Sequence, residues 1–425
     1  MVNKKQKKPC CPIYSSVFLL MLLLTITFLF SGCQILPPIP KEAKWTVLVY
    51  MAAGNDLETV GLQDINEMEM VGSTKDVNIV AQVDRIPFSA LDNLGLGHFD
   101  DSSNNNWTGT RRYYITRDTN PEIIRSRLVQ DLGEKNMGDP ATLKDFAQWA
   151  IENYPAERYM LVLWNHGGGF RSQEISRDIC WDYNFGLNSR ITMPELEDSL
   201  AFISGQLGGK IDIVGMDACY MGMIEVAYQI KDYAKIMIAS EGIVPGSGWQ
   251  YDCVLERLVV NPNQSSRQFA SDIVDCYYSQ YSGTGNNVTL SAVDLSKVDS
   301  LATQVSGLAQ AIMNDRSVSK ESYRNARNNS QYYTGVAFEY IDLKDFVNKL
   351  PSYTSNSSVL NYANQVSQSM DKGNVIINNT SIGSSVKNSH GLSIFIPYYS
   401  YDEYYNNTNF AQDKLWDEML HYLGY

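Results

Sequence analysis

Short apolar segments alternate with amphipathic ones along most of this 425-residue chain, and this alternation restricts the folds that it can adopt. The apolar segments are nearly continuous and rich in β-branched and aromatic residues, as is typical of strands buried on both faces. The predicted strands cover residues 45–53, 77–83, 112–116, 159–164, 211–215, 234–239, 288–295 and 391–398. Helical spacing of apolar residues occurs at residues 141–154, 223–233 and 343–350. This order predicts an α/β fold with a central, mostly parallel sheet covered by helices on both faces.

The first 32 residues have the organisation of a secretory signal peptide. A lysine-rich start is followed by an apolar run over residues 13–30 and then by Ser31-Gly32-Cys33. This ending is similar to the bacterial lipobox, in which the cysteine becomes the lipidated first residue of the mature protein. We therefore expect lipidation of Cys33, a proline-rich spacer at residues 33–43, and an extracytoplasmic lipoprotein anchored to a bacterial membrane. An uncleaved anchor is the alternative, because about 18 apolar residues can just span a bilayer.

The net charge of the chain limits the partners that it can bind. A value of −13 argues against nucleic acid, whose phosphates need clustered lysine and arginine on the protein surface. The same acidity is compatible with a cationic substrate, although it can also serve only to keep an exported protein soluble.

Four of the seven cysteines fall in the body of the chain: Cys180, Cys219, Cys253 and Cys276. Four in a chain of this length do not make a disulfide framework, and none has the spacing of a CxxC redox motif or a zinc site. We expect all but Cys219 to be buried or to form one disulfide. No metal ligands are predicted, since the sequence also lacks an EF-hand-like loop.

His166 and Cys219 each follow an apolar predicted strand. His166 precedes three glycines, whose backbone N–H groups can approach a substrate closely and receive a developing oxyanion. Cys219 lies before a predicted helix, whose N-terminus is expected to lower the pKa of the thiol. Sites in open α/β sheets form beyond the carboxyl ends of strands, and a histidine about 50 residues before the cysteine matches the caspase pattern. The pair predicts a cysteine nucleophile with a histidine as its acid/base partner.

Six stretches of the chain resemble the clostripain-like cysteine peptidases, family C11 of the caspase-like clan. They are WTVLVYMAAGNDLE (45–58), LVLWNHGGG (161–169), IDIVGMDACYMGMIEVAYQI (211–230), ASEGIVPGSGWQY (239–251), YIDLKDF (340–346) and HGLSIFIPYY (390–399). The His-Gly-Gly-Gly and Asp-Ala-Cys blocks are the specific ones. The resemblance implies a caspase-like three-layer sandwich with its catalytic core at residues 44–300. Residues 301–425 would belong to the same domain or form a helical subdomain that completes the sheet.

The resemblance also implies a mechanism. The Cys219 thiolate would attack the scissile carbonyl of a protein or peptide substrate. His166 would protonate the leaving amine, and water would release the acyl-enzyme. The backbone N–H groups of Gly167 and Cys219 are expected to form the oxyanion hole.

Family members typically cleave after arginine or lysine, which requires a carboxylate in the S1 pocket. Asp217, two residues before the nucleophile, is the expected carboxylate, and a structural cap for the following turn is its alternative role. Glu241 is the expected second acidic residue. Ser247 lies in the same loop and would make the pocket less acidic. Arg85 and Asp84, at the end of another predicted strand, could help to shape the pocket.

Self-cleavage between the His and Cys blocks is common in the family, and Arg171, Arg177, Arg190 and Lys210 are the basic residues of that interval. Calcium aids some members and would act here as an activator, not as a required cofactor. The resemblance further implies a monomer that contacts the membrane through its lipid anchor.

Two other functions fit parts of the sequence. The main alternative is a catalytically inactive caspase-like lipoprotein that binds partners at the cell surface. The complete His and Cys blocks speak against it, since a binding scaffold needs neither. A serine hydrolase is the weaker alternative, because Gly246-Ser247-Gly248 is only a small turn and no GxSxG elbow is present.

Overall fold

The computed structural model of the protein describes residues 42–170, 178–333 and 338–425. The predicted signal peptide, Cys33 and nearly all of the spacer lie outside these residues, as do Arg171 and Arg177. Glu42–Tyr425 form one compact unit. Within the described ranges, no helix combines the length and the apolar character that crossing a membrane would require.

Among the described residues, nine strands form the main sheet and two short strands form a separate antiparallel pair. In chain order the strands are β1 (Ala43–Met51), β2 (Val77–Arg85), β3 (Gly109–Tyr114), β4 (Arg127–Gly133), β5 (Ala156–Trp164), β6 (Ile211–Asp217), β7 (Ala234–Ala239), β8 (Val288–Asp294), β9 (Tyr340–Asp342), β10 (Ile376–Ile382) and β11 (Ser393–Phe395). The main sheet has the order β10-β8-β7-β6-β5-β1-β2-β3-β4, and β9 pairs with β11. The strands from β7 to β2 are parallel to one another, whereas β3, β4, β8 and β10 add antiparallel pairs at the two edges.

Helices lie on both faces of this sheet. In chain order they are α1 (Glu58–Val71), α2 (Phe88–Asn93), α3 (Pro140–Asn153), α4 (Met193–Leu207), α5 (Ile224–Ile230), α6 (Tyr251–Val260), α7 (Ser266–Tyr281), α8 (Val298–Asn314), α9 (Lys320–Asn328), α10 (Leu343–Lys349), α11 (Ser357–Ser369), α12 (Asn409–Asp413) and α13 (Trp416–Leu423). Local signals define several ends. For example, α4 begins with a capping box between Thr192 and Glu195 and ends at Gly208 in the left-handed conformation.

The strands are buried on both faces because their side chains alternate between two apolar cores. On β1, Leu48 and Tyr50 pack into one core, and Val47 and Val49 pack into the other. Helices α3, α4, α5 and α8 contribute to the first core, and α1, α6 and α7 contribute to the second. The predicted three-layer α/β sandwich with a mostly parallel central sheet is therefore confirmed.

Some elements differ from the sequence-based prediction. Strand β4 has mostly exposed residues and lies at a sheet edge, so it lacks the apolar run that marks the inner strands. The polar strand β10 pairs with β8, so the chain after residue 300 contributes a strand to the main sheet. The strand expected at residues 391–398 is shorter, Ser393–Phe395, and pairs with β9 instead of joining that sheet.

The cysteines of the described chain differ in their environments. Cys253 and Cys276 form a disulfide between α6 and α7, and Cys180 is buried with a free thiol. Both outcomes agree with the expectation for these three residues. Cys219 is the remaining free cysteine among the described residues, and it is partly exposed.

Candidate active site

Three neighbouring parallel strands, β1, β5 and β6, end at the same edge of the main sheet. Their last residues are in register, since Met51 pairs with Trp164 and Trp164 pairs with Asp217. The loops that follow these strands therefore meet at the edge where open α/β sheets bind ligands. His166 and Cys219 lie on two of these loops, and both line one pocket. The structure thus brings the two predicted catalytic residues together.

A third residue, Asp56, comes from the loop after β1. Its Oδ1 lies 2.9 Å from Nε2 of His166. The Tyr183 ring stacks on the imidazole with 6.4 Å between ring centroids, and the Tyr183 side chain also bonds to Asp56. Asn55 fixes this loop, because its side-chain amide donates to two backbone carbonyls. Asp56 was not among the catalytic residues predicted from the sequence, although its position after the first predicted strand was an available signal.

Asp56 determines which ring nitrogen of His166 carries a proton. Burial raises the pKa of the Asp56 carboxyl, but the hydrogen bond and charge of His166, together with hydrogen bonds from the Asp56 backbone and the Tyr183 side chain, hold this pKa below its ordinary value. An ionised carboxylate only accepts hydrogen bonds, so Nε2 of His166 is the donor. In the neutral ring Nδ1 is then unprotonated and is the nitrogen that can accept a proton.

The thiol of Cys219 is neutral near pH 7. Burial raises its pKa to about 11, the hydrogen bond from Val244 opposes this shift, and the charge of Asp217 adds to it. The Val244 N–H lies 3.3 Å from Sγ. The expected lowering of this pKa by a helix N-terminus was wrong, because α5 begins only at Ile224 and burial dominates at the thiol. Forming the thiolate therefore requires a proton acceptor, such as Nδ1 of His166.

Gly167 lies against the backbone of Cys219. A Cβ at Gly167 would lie 2.5 Å from the carbonyl oxygen of Cys219, so only glycine fits there. Within the described residues, neither the Gly167 N–H nor the Cys219 N–H donates to a backbone carbonyl. Backbone N–H groups that no carbonyl occupies can stabilise the developing negative charge of a substrate oxyanion.

Asp217 is the last residue of β6 and contributes to the lining of the same pocket. Its Oδ2 accepts hydrogen bonds from the Trp249 N–H at 3.0 Å and the Tyr251 hydroxyl at 3.1 Å. Its Oδ1 is buried without a partner among the described residues. Burial, to which the charge of Glu67 adds, raises the pKa of this carboxyl to about 7.

The structure does not bring Glu241 to this pocket. Its Oε2 accepts a hydrogen bond from the Gly391 N–H at 2.8 Å, in the C-terminal part of the chain. Ser247 is also turned away, since its hydroxyl lies 2.9 Å from that of Tyr281. The acidic neighbours of Asp217 come from α1 instead: Asp64 and Glu67 repel it electrostatically.

Asp84 does not line this pocket either. Its carboxylate groups with those of Glu134 and Asp182, and one oxygen of each lies within 4.8 Å of the others. Among the described residues this is the group that could hold a metal ion. This group was not predicted from the sequence, because the three residues lie far apart in the chain.

Comparisons with known proteins identify a family and several relatives that are similar to this chain. A profile of the clostripain family, peptidase C11, matches residues 49–423. Clostripain from Hathewaya histolytica is 28% identical over 429 residues, which cover 87% of this chain and 78% of that protein. A secreted C11 cysteine protease from Bacteroides thetaiotaomicron, solved with an irreversible peptide inhibitor, superposes with a TM-score of 0.62 at 22% identity and covers 90% of this chain and 99% of its own. An inactive zymogen C11 protease from Parabacteroides distasonis superposes with a TM-score of 0.65 at 20% identity. The match covers 88% of this chain and 99% of that protease. Both share the fold of this chain.

Proposed function

Because this chain belongs to the clostripain family of C11 cysteine proteases, we propose that it cleaves peptide bonds after arginine or lysine, with Cys219 as nucleophile and His166 as acid/base. The observation that carries the proposal is the pocket that Cys219 and His166 line together, with the buried carboxylate of Asp217 in the same lining. The hydrogen bond from His166 to Asp56 supports the role of the histidine, since a catalytic base is usually oriented by a third group.

The proposed reaction begins with a neutral thiol. When a peptide binds, Nδ1 of His166 accepts the proton of Cys219, and the thiolate attacks the scissile carbonyl. The N–H groups of Gly167 and Cys219 stabilise the oxyanion. The imidazolium, paired with Asp56, then donates its Nδ1 proton to the leaving amine. Water, deprotonated at Nδ1, hydrolyses the thioester and regenerates the thiol.

The proposed preference for arginine or lysine rests on Asp217. This carboxylate has one buried oxygen without a partner among the described residues, and a guanidinium or ammonium group would pair with it. When they are ionised, the carboxylates of Asp64 and Glu67 on α1 add to the negative charge near Asp217. Glu241 is omitted from the proposed S1 pocket, because its carboxylate bonds to the Gly391 backbone.

We further propose that the protein is exported and lipidated at Cys33, and that it is activated by self-cleavage. One relative is described as secreted and another as an inactive zymogen, which supports export and maturation. Of the predicted cleavage positions, Arg190 is disfavoured because its side chain is paired with Asp178 at 2.9 Å. Cleavage after Arg171, Arg177 or Lys210 is proposed instead. Activation by calcium is proposed as well.

The test uses residues 34–425 and fluorogenic peptides that carry arginine, lysine, aspartate or leucine at P1. Hydrolysis after arginine or lysine that disappears in Cys219→Ala would support the peptidase activity, Cys219 as the nucleophile and an acidic S1 pocket. Another P1 preference would retain the Cys219–His166 pair and remove Asp217 from its role. No hydrolysis, with calcium present and after trypsin nicking between His166 and Cys219, would reject the peptidase.

The alternative function is the inactive binding lipoprotein. The rate at which Cys219 is labelled distinguishes the peptidase from the binding protein. A P1-arginine peptide with an electrophilic warhead is a better reagent for this than the simple alkylating agent iodoacetamide, because the resting thiol is neutral and reacts slowly with such agents. Rapid labelling of Cys219 that requires His166 supports the peptidase. Labelling no faster than with iodoacetamide supports the binding protein.

A further inference from the structure

We propose that Asp84, Glu134 and Asp182 bind a divalent cation, with Ca²⁺ as the expected ion, beside the proposed active site. Each supplies one carboxylate oxygen to a group whose members lie within 4.8 Å of one another. Asp84 lies on β2, Glu134 follows β4, and Asp182 precedes a short turn at Tyr183–Phe185. Glu134 is exposed whereas the two aspartates are buried, so an ion can enter from the Glu134 side.

One oxygen of this group has no partner. Asp84 is fully buried, and its Oδ1 accepts a hydrogen bond from the Thr110 hydroxyl at 2.6 Å. Its Oδ2 is also buried, and no described residue donates a hydrogen bond to it. The ion pairs formed between described residues leave out all three carboxylates. A buried carboxylate oxygen with neither a hydrogen bond nor a counterion is costly, and a bound cation removes that cost.

Gly54 leaves room for the ion. A Cβ at this position would collide with Oδ2 of Asp84 and would lie 3.1 Å from Oδ1 of Asp182. The missing side chain therefore leaves a space between these two oxygens. Ca²⁺ accepts flexible oxygen coordination at about 2.3–2.6 Å, so it fits between oxygens separated by the distances found here, with water completing its shell.

The charge of the group also favours a cation. Burial raises the pKa of Asp84 well above its ordinary value and that of Asp182 to about 7, and repulsion from neighbouring carboxylates adds to both shifts. The carboxylates repel one another when they are ionised, and a divalent cation between them would offset that repulsion.

The site is connected to the proposed catalytic residues, and this step rests on the proposed function. The Tyr183 N–H donates to the Gly54 carbonyl at 2.9 Å, which joins the two chain segments beside the carboxylates. Tyr183 follows Asp182 and stacks on His166, and Asp56 follows Gly54 by two residues. A cation that holds these segments would therefore hold both contacts of His166.

The binding test uses residues 34–425 with Cys219→Ala, which removes the proposed nucleophile and prevents self-cleavage. After treatment with EDTA, CaCl₂ is added at pH 7.5, and binding is followed by calorimetry and by Tm. We expect Ca²⁺ to bind and to raise Tm by several degrees. Glu134→Gln, at an exposed position, should abolish the Tm shift. Gly54→Ala should abolish it too, although it retains all three carboxylates.

Glu225→Gln is the matched control. Glu225 is also buried with an unpartnered oxygen, but it is outside this carboxylate group, so the response to Ca²⁺ should be unchanged. No Ca²⁺ binding to the Cys219→Ala chain, or the same binding in Glu134→Gln and Gly54→Ala, would overturn the proposed site. These measurements need no peptidase activity, so failure of the cation site and failure of the proposed function are distinguishable.

Discussion

Nε2 of His166 lies 2.9 Å from Oδ1 of Asp56, and this contact joins the loop after β1 to the loop after β5. The orientation of the imidazole therefore depends on two strands of the sheet. Because the ionised carboxylate holds the proton on Nε2, Nδ1 is the nitrogen that can exchange a proton with a thiol or a leaving amine. In the proposed mechanism Asp56 is therefore a positioning residue, as is the third member of other nucleophile–base–acid groups.

Asp56→Asn should lower kcat by about 10²–10⁴-fold, because the amide can donate to Nε2, favour the wrong tautomer and fail to stabilise the imidazolium. KM should change little, since Asp56 is absent from the pocket lining. Steady-state kinetics with a P1-arginine peptide measures both constants. Asp232→Asn, which removes an exposed carboxylate paired with Lys231, is the control. An Asp56→Asn enzyme with the kcat of the original protein would contradict the role.

Asp217→Asn should lower kcat/KM for P1-arginine peptides by about 10²–10³-fold, because a buried cation loses its charged partner. Slow hydrolysis of a P1-leucine peptide should persist, since the nucleophile and base are unchanged. The ratio of the two kcat/KM values is the measurement. Glu241→Gln is the comparison and should leave this ratio as it was. A ratio that responds to Glu241 and not to Asp217 would reject the proposed S1 pocket.

The raised pKa of Asp217 predicts a pH dependence of substrate binding. Burial holds this pKa at about 7 in the free enzyme, so the carboxyl is largely protonated below that pH. An arginine side chain pairs only with the ionised form, so KM for a P1-arginine peptide should fall as the pH rises through about 7. KM for a P1-leucine peptide is the control and should lack this fall. Parallel pH profiles for the two peptides would contradict the assignment.

The sequence predicted the sheet edge well, because β1, β5 and β6 are buried on both faces and read as continuous apolar runs. Once those strands are parallel neighbours, His166 and Cys219 must lie at one edge. The polar edge strands β4 and β10 were missed because their stability comes from pairing with one neighbour and not from burial of a long apolar run.

Side-chain partners were less predictable than strands. Glu241 lies in the loop that contributes Val244 to the pocket, but its direction depends on Gly391, far away in the chain. Burial of the Cys219 thiol likewise depends on how several loops pack over it, so its raised pKa could not be inferred from a helix position. Such contacts between distant segments leave no local pattern in a single sequence.

Glu225 provides a test of buried charge outside the active site. Burial raises its pKa from 4.5 to about 7, so the folded state binds this proton more tightly than the unfolded chain. The resulting stability is fully present below about pH 4.5 and is lost as the pH rises to about 7. Glutamine stays neutral at every pH, so the free energy of unfolding of Glu225→Gln does not fall in this range. Its difference from that of the original protein should therefore increase by up to about 3 kcal/mol between pH 5 and pH 8.

Urea unfolding of both proteins at the two pH values, in a Cys219→Ala background, measures this gain. If the new amide N–H lacks a partner, the free energies of unfolding of the two proteins should also differ by an amount that does not depend on pH. The change of the difference with pH is therefore the decisive quantity. Glu256→Gln, at an exposed position, should show no such change. A Glu225→Gln difference that is equal at pH 5 and pH 8 would mean that Glu225 is not preferentially protonated in the folded state.

The disulfide between Cys253 and Cys276 should stabilise the protein without taking part in catalysis. The two cysteines are 23 residues apart, and closing a loop of this length restricts the unfolded chain by about 3 kcal/mol. The double variant Cys253→Ala/Cys276→Ala should therefore lose about that much free energy of unfolding, measured in urea. Its kcat/KM at 25 °C should match that of the original protein, because Cys219 is a separate, free thiol.

Reduction of the original protein is the control and should give the same loss in stability. A stable double variant with low activity would instead indicate that the α6–α7 link positions Asp217 through its bonds to Trp249 and Tyr251.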